Sequence, residues 1–120
     1  IDFSEATALE TIGQYAFAEC ENLKEIDFSE ATTLERIGQY AFTECENLKE
    51  IDLSEATALK TIGDDAFYYC TSLTAFKCSA NVKTIGKEAF YNCENLNEID
   101  FSEATALETI GQYAFAECEN

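Results

Sequence analysis

A repeat of nearly constant length limits this chain to very few architectures. Glycines stand at positions 13, 38, 63, 86 and 111, in steps of 25, 25, 23 and 25 residues, and five of the six cysteines (Cys20, Cys45, Cys70, Cys93 and Cys118) keep the same steps. Self-similarity at a period of ~20–50 residues signals a solenoid, in which each unit stacks on its neighbours because no unit can bury its own apolar face. The 120 residues divide into units 1–25, 26–50, 51–75, 76–98 and 99–120, and the last repeats residues 1–22 without a change.

Identical units carry little information, so the divergent one decides what the repeat needs. Unit 76–98 is two residues shorter than its predecessors, yet Ile85, Gly86, Ala89, Phe90, Cys93 and Leu96 stand where the other units have the same residues. Phe76, Cys78 and Val82 exchange apolar for apolar, whereas Lys77, Lys87 and Glu88 replace Asp, Gln and Tyr. A fixed interior is thereby separated from a variable surface. In the second unit the interior set is Ile26, Phe28, Leu34, Ile37, Ala41, Phe42, Cys45 and Leu48. Each should stack into a column with its equivalents.

Alternation around Ile26 and Phe28, with Glu25 and Asp27 opposite, predicts a short strand over 23–28, and successive strands should lie parallel, ~4.8 Å apart. Gly13 and its equivalents mark places that need either φ > 0 or a close backbone approach. The following "QYAFAEC" suits a helical turn with Ala and Phe packed inward. "SEATALETIG" could itself be a short helix with a Ser cap, but the two-residue deletion in unit 76–98 favours a loop, which absorbs a length change that a packed helix would not.

The pattern L-x-x-I-x-F…L-x-x-I-G-x-x-A-F-x-x-C-x-x-L, carried by Leu23, Ile26, Phe28, Leu34, Ile37, Gly38, Ala41, Phe42, Cys45 and Leu48, resembles the BspA-like class of leucine-rich repeats over the whole chain. The resemblance implies an arc-shaped solenoid with short parallel β-strands on the concave side and irregular or 3-10 segments on the convex side. It also implies an extracellular or cell-surface setting, with attachment to host proteins or other cells as the role. Relatives often carry Pro just after the strand. Here Ser4, Ser29, Ser54, Ser79 and Ser102 stand instead, which leaves the turn geometry there open.

Composition narrows the functional classes. The formal charge of −17 repels nucleic acid and anionic membrane surfaces and favours cationic partners. No apolar run reaches the ~20 residues a bilayer-spanning helix needs, so membrane insertion is not expected. Histidine is absent, no C-x-x-C pair occurs, and no phosphate-cradling glycine loop or nucleophile–base pair is present. Acidic columns supply many carboxylate pairs, but a regular surface offers no pocket to raise one pKa selectively. The expectation is a non-catalytic protein without a cofactor. The five periodic cysteines should form a buried, reduced column of small apolar side chains, since stacked residues point the same way and a disulfide would distort them. Cys78, in the column of Phe3, Phe28, Leu53 and Phe101, should be a core residue as well.

Two surfaces are candidates for partner binding. The outward strand positions form acidic columns of Asp2, Asp27, Asp52 and Asp100 with Glu25, Glu50 and Glu98 alongside. Like charges ~5 Å apart repel by ~1 kcal/mol per pair, so these carboxyls should attract cations or show raised pKa values. The columns are either a solvated face or a docking surface for a basic partner, with weak divalent-cation binding the most their spacing supports, since no D-x-D-x-D-G loop is present. The second candidate lies where residues 60–93 carry a balance of +1 against −18 for the remainder. Tyr68, Tyr69 and Tyr91 cluster there, and exposed tyrosines near lysines such as Lys77 suit protein recognition, although drift between repeats explains the same facts.

Neither end of the sequence resembles a polar capping repeat, and residue 120 could be followed in register by Leu23, which suggests a window from a longer array. Alternatively, the ends stack head to tail. The two functional readings are therefore an adhesion or protein-interaction module, and a structural spacer whose partners are copies of itself.

Overall fold

A computed structural model describes residues 3, 5 and 7–119, and the chain winds as a solenoid in which every strand pairs in parallel with the equivalent strand of the next coil. Ile1, Asp2, Ser4, Ala6 and Asn120 lie outside the described residues, so the expectations resting on Asp2 and Ser4 do as well. Eight short strands are present among the described residues: β1 Thr11–Ile12, β2 Arg36–Ile37, β3 Glu50–Asp52, β4 Thr61–Ile62, β5 Ala75–Lys77, β6 Thr84–Ile85, β7 Glu98–Asp100 and β8 Thr109–Ile110. They form two sheets, one in the order β3-β5-β7 and one in the order β1-β2-β4-β6-β8.

The three-stranded sheet is the one alternation predicted. Ile51 and Phe76 point inward and are 1% exposed, and Glu50, Ala75 and Glu98 stand in register, as do Asp52, Lys77 and Asp100. In the second coil the predicted strand is reduced to a single bridge at Asp27. The five-stranded sheet has no alternation to announce it, because each strand is two residues long. Its inward member is the isoleucine before each glycine, and Ile12, Ile37, Ile62 and Ile85 are buried.

Those glycines settle the choice between two backbone roles. None has positive φ. A Cβ on Gly86 would lie 2.4 Å from the backbone nitrogen of Asp64, and one on Gly63 would lie 2.7 Å from that of Gln39. Gly13, in the first described coil, would meet nothing within 4 Å. The repeat therefore needs glycine because successive coils touch backbone to backbone at this point. The Gly38 N–H donates to the Ile12 carbonyl at 2.8 Å across that contact, and Gly63 donates likewise to Ile37.

Beyond the glycine the helical-turn expectation fails, and no α-helix occurs among the described residues. Local i→i+3 bonds link Ala16 to Gly13 and Cys20 to Phe17, while the intervening N–H groups of Tyr15, Phe17 and Glu19 donate to Gln39, Ala41 and Thr43 of the next coil. Two residues per coil take φ near +55 to +60° to permit this, as at Tyr15 and Glu19, Tyr40 and Glu44, and Asp65 and Tyr69. Each is the third residue of its turn, where a type II turn requires positive φ. A left-handed backbone strains side chains other than glycine by roughly 1–2 kcal/mol, and the inter-coil hydrogen bonds compensate. Ala and Phe still pack inward as the spacing required. The irregular segments of the coil are thus chains of linked turns.

The core is one cluster running the length of the stack. Phe17, Phe42, Phe67, Phe90 and Phe115 stack with centroids 5.2, 5.2, 5.0 and 5.1 Å apart and planes within 10°. Asparagines fasten coil to coil: Asn47 Nδ2 donates to the Glu21 carbonyl and Asn95 Nδ2 to that of Thr71. After the three-stranded sheet, the carboxylates of Asp27, Asp52 and Asp100 accept the backbone N–H of Ser29, Ser54 and Ser102 at 2.8–2.9 Å. This closes the turn whose geometry the serines left open. The fourth coil has Lys77 in place of the aspartate and two residues fewer. Counted back from Lys83, Ser79 fills the place of Ala56, fully buried, and its Oγ has no hydrogen-bond partner.

Candidate interaction surfaces

The carboxylates expected on the strand face are exposed at Glu25, Asp27, Glu50, Asp52 and Glu98, but the columns are broken. Ala75 sits between Glu50 and Glu98, and Lys77 between Asp52 and Asp100. Together these residues line a groove of about 240 Å³ over β3, β5 and β7, floored by Ile51 and Phe76. A second hollow, of about 110 Å³, brings Asp27 beside Asp52. The expectation of raised carboxyl pKa values on this face is overturned at Asp100. Hydrogen bonds from the Ser102 hydroxyl and N–H hold its carboxyl below the usual range, with Lys77 assisting. No three thiol or carboxylate groups among the described residues converge to hold a metal ion.

The three tyrosines do come together, on the turn segment and apart from the strand face that carries Lys77. Tyr68 and Tyr91 occupy one outward column and stack at 5.3 Å and 12°, and Tyr69 lies against them at 4.6 and 6.1 Å. Tyr69 is 37% exposed, and Tyr68 and Tyr91 are partly covered by each other. Burial raises the phenols of Tyr68 and Tyr91, with Tyr69 and Glu88 adding to it at Tyr68 and Glu117, Tyr69 and Glu88 at Tyr91.

Sequence reading missed the acidic half of this surface. Asp65 and Glu88 stand in one column on adjacent coils, beside the tyrosines, in the place that Tyr15 and Tyr40 hold in the first two coils. Tyr15 and Tyr40 stack at 4.8 Å with planes 1° apart, and Asp65 stands beside Tyr40 at the end of that stack, where its charge raises the Tyr40 phenol. Burial, Glu88 and Asp64 raise the Asp65 carboxyl against the lowering influence of Lys87. Lys87 meets Glu88 at 3.5 Å, and its backbone N–H donates to Asp64 Oδ1. The signal was available in the change from Tyr to Asp65 and Glu88 at one repeat position. A charge balance summed over residues 60–93 hides it, because the sum does not separate one repeat position from another.

The cysteines form the expected column of free thiols. The Sγ–H groups of Cys45, Cys70 and Cys93 donate to the carbonyls of Phe17, Phe42 and Phe67, each in the preceding coil, at 3.1–3.2 Å. Burial pushes the Cys45 and Cys78 thiols up to about 11 and raises Cys70 and Cys93 as well, which keeps thiolate, the reactive form, scarce.

Comparison with solved structures finds the same coil elsewhere. The crystal structure of the leucine-rich repeat protein from T. pallidum superposes with a TM-score of 0.78 at 27% identity, covering 91% of this chain and 48% of that one. A leucine-rich repeat protein from Bacteroides ovatus gives 0.52 at 26% identity, covering 93% and 45%. The chain spans just under half the length of each. No curated protein matches it. Leucine-rich repeats are in general non-catalytic and mediate protein–protein interaction. The model of the BspA type leucine rich repeat region matches residues 1–120 in six copies, and the chain belongs to that family.

Proposed function

We propose that this chain is a non-catalytic protein-binding module of a bacterial cell-surface or secreted repeat protein, acting in adhesion through the turn face of its third and fourth coils. The carrying observation is the cluster of Tyr68, Tyr69 and Tyr91, side by side on a surface whose other coils have Ala, Thr, Glu and Asn in the same columns. Tyrosine combines apolar area with a hydrogen-bonding tip at small entropic loss. The strand-face groove, with Glu50, Asp52, Lys77, Glu98 and Asp100, is the second contact surface; Asp27 extends it through the hollow it shares with Asp52, while Glu25 lines a separate hollow with Cys20, Asn22, Leu23 and Lys24. The test is capture of purified host and cell-surface proteins on the immobilised chain, repeated with all three tyrosines changed to Ala. Loss of capture supports the assignment, and equal capture by the variant removes it.

Self-association is a second reading with an observation of its own. In the turns after each glycine, the alternate backbone N–H groups all donate one way, from one coil to the carbonyls of the next, as Tyr15, Phe17 and Glu19 do to Gln39, Ala41 and Thr43. The last described coil accordingly presents the N–H groups of Tyr113, Phe115 and Glu117, and the first presents the carbonyls of Gln14, Ala16 and Ala18, in matching order. Ile99 and Ile110 are 41% and 47% exposed there, against 1% and 0% for Ile51 and Ile62. A further coil, from the same chain or a second copy, would satisfy both. Light scattering over a concentration series tests the second source: growth in mass supports it, and a constant monomer mass excludes it.

A further inference from the structure

The outward residues of the turn segment form a grid of columns, and the middle coils exchange the contents of two of them. One column runs Tyr15, Tyr40, Asp65, Glu88, Tyr113, and its neighbour runs Ala18, Thr43, Tyr68, Tyr91, Ala116. Aromatic rings therefore leave the first column where carboxylates enter it, and enter the second at the same coils. The product is a pair of carboxylates beside a pair of stacked rings, with Tyr69 against the rings.

We infer that this patch, Asp65, Glu88, Tyr68, Tyr69 and Tyr91, receives an arginine side chain from a basic segment of a protein partner. The inference rests on the protein-binding reading above and adds the chemistry of what is bound. Three observations carry it. The ring stack stops at Ala116, a methyl group, so the far face of Tyr91 has no ring beyond it in its column, and a planar cation can continue the stack. Asp65 and Glu88 stand in one column on adjacent coils, where burial first and then the Glu88 and Asp64 carboxylates raise Asp65, and Lys87, 3.5 Å from Glu88, is the one cation that offsets them among the described groups acting on Asp65. A chain of charge −17 also steers basic partners toward itself.

The geometry selects arginine over lysine. A guanidinium is flat, weakly hydrated and able to donate to carboxylates in its own plane while its face lies on a ring. An ammonium group is compact and strongly hydrated, and answers the charge without the stacking.

The test uses two labelled peptides, each with four cationic residues spaced by neutral ones, arginine in one and lysine in the other. Their binding to the whole chain is followed by fluorescence anisotropy at ~0.15 M salt, where long-range attraction is screened. The arginine peptide should bind roughly fivefold tighter, the worth of one exposed cation–π contact. The combined variant Tyr68→Thr, Tyr69→Asn and Tyr91→Ala should abolish that preference. Its residues already occupy the same columns at Thr43, Asn92 and Ala116, so the coil accommodates them. Equal binding of the two peptides overturns the inference. So does a preference that survives in this variant, or one that disappears with Glu50→Gln, Asp52→Asn and Glu98→Gln on the strand face. If no preference exists while the tyrosine variant still loses capture of a protein partner, the arginine assignment fails and the protein-binding reading stands.

Discussion

The two sides of the turn segment have diverged to opposite degrees. Inward, Phe17, Phe42, Phe67, Phe90 and Phe115 are the same residue in every coil, and outward, neighbouring positions range over Tyr, Asp, Glu, Ala, Thr and Asn. Both sides share one backbone, so local conformation does not explain the contrast. An inward ring packs on its own copy above and below, and any change in size leaves a void or a clash in two interfaces at once. An outward side chain meets water on one side. The solenoid thus fixes its interior by repetition and leaves its turn face free to acquire a surface in two adjacent coils only.

That contrast can be broken from the inside. Phe67 lies in the middle of the stack with a ring 5.0–5.2 Å away on either side. Phe67→Ala should destabilise the chain by about 3–5 kcal/mol, read as a lower midpoint in denaturant titration. A loss under ~1 kcal/mol would mean that the column is not continuous.

The fourth coil supplies an exception that sharpens the comparison. Ser79 carries a hydroxyl into an alanine position and leaves it without a partner. Ser79→Ala should raise stability by about 1 kcal/mol, because an unpaired buried polar group is removed and no hydrogen bond is lost. Destabilisation in the same assay would show that the hydroxyl has a bonding role.

The smallest effect belongs to the outer face. Asp65 has a folded carboxyl raised above its ordinary 3.8, so the folded state holds its proton more tightly than the unfolded state does. Its contribution is most favourable below pH 3.8 and is lost as pH rises through the raised folded value. Asp65→Asn should flatten the fall in melting temperature over that window. Equal slopes in the two proteins would contradict the burial and repulsion assigned to this site.

Much of this was legible in the residues. The two-residue deletion in unit 76–98, which spared Ile85, Gly86, Ala89, Phe90 and Cys93, marked the interior columns, and the alternation at Ile51 and Phe76 marked one sheet. The five-stranded sheet was not legible, since a two-residue strand has no period to detect. The turns after each glycine read as helical because "QYAFAEC" is rich in residues a helix accepts. The acidic part of the candidate surface was hidden for a related reason: charge summed over residues 60–93 does not say which carboxylates stand beside which rings.

Sequence alone determined the repeat, its length, the residues that must face inward, and the family to which the coil belongs, because burial by identical neighbours imposes the same side chains at the same step. Tertiary structure alone decided where the alternate N–H groups go. Pairing with the next coil takes the donors that a helix would have used, turns ten of the described side-chain-bearing residues to positive φ, and places Asp65 and Glu88 in the column beside Tyr68 and Tyr91. Hydrogen bonds between coils have no signature in the spacing of any single unit, since their partners lie some 25 residues away.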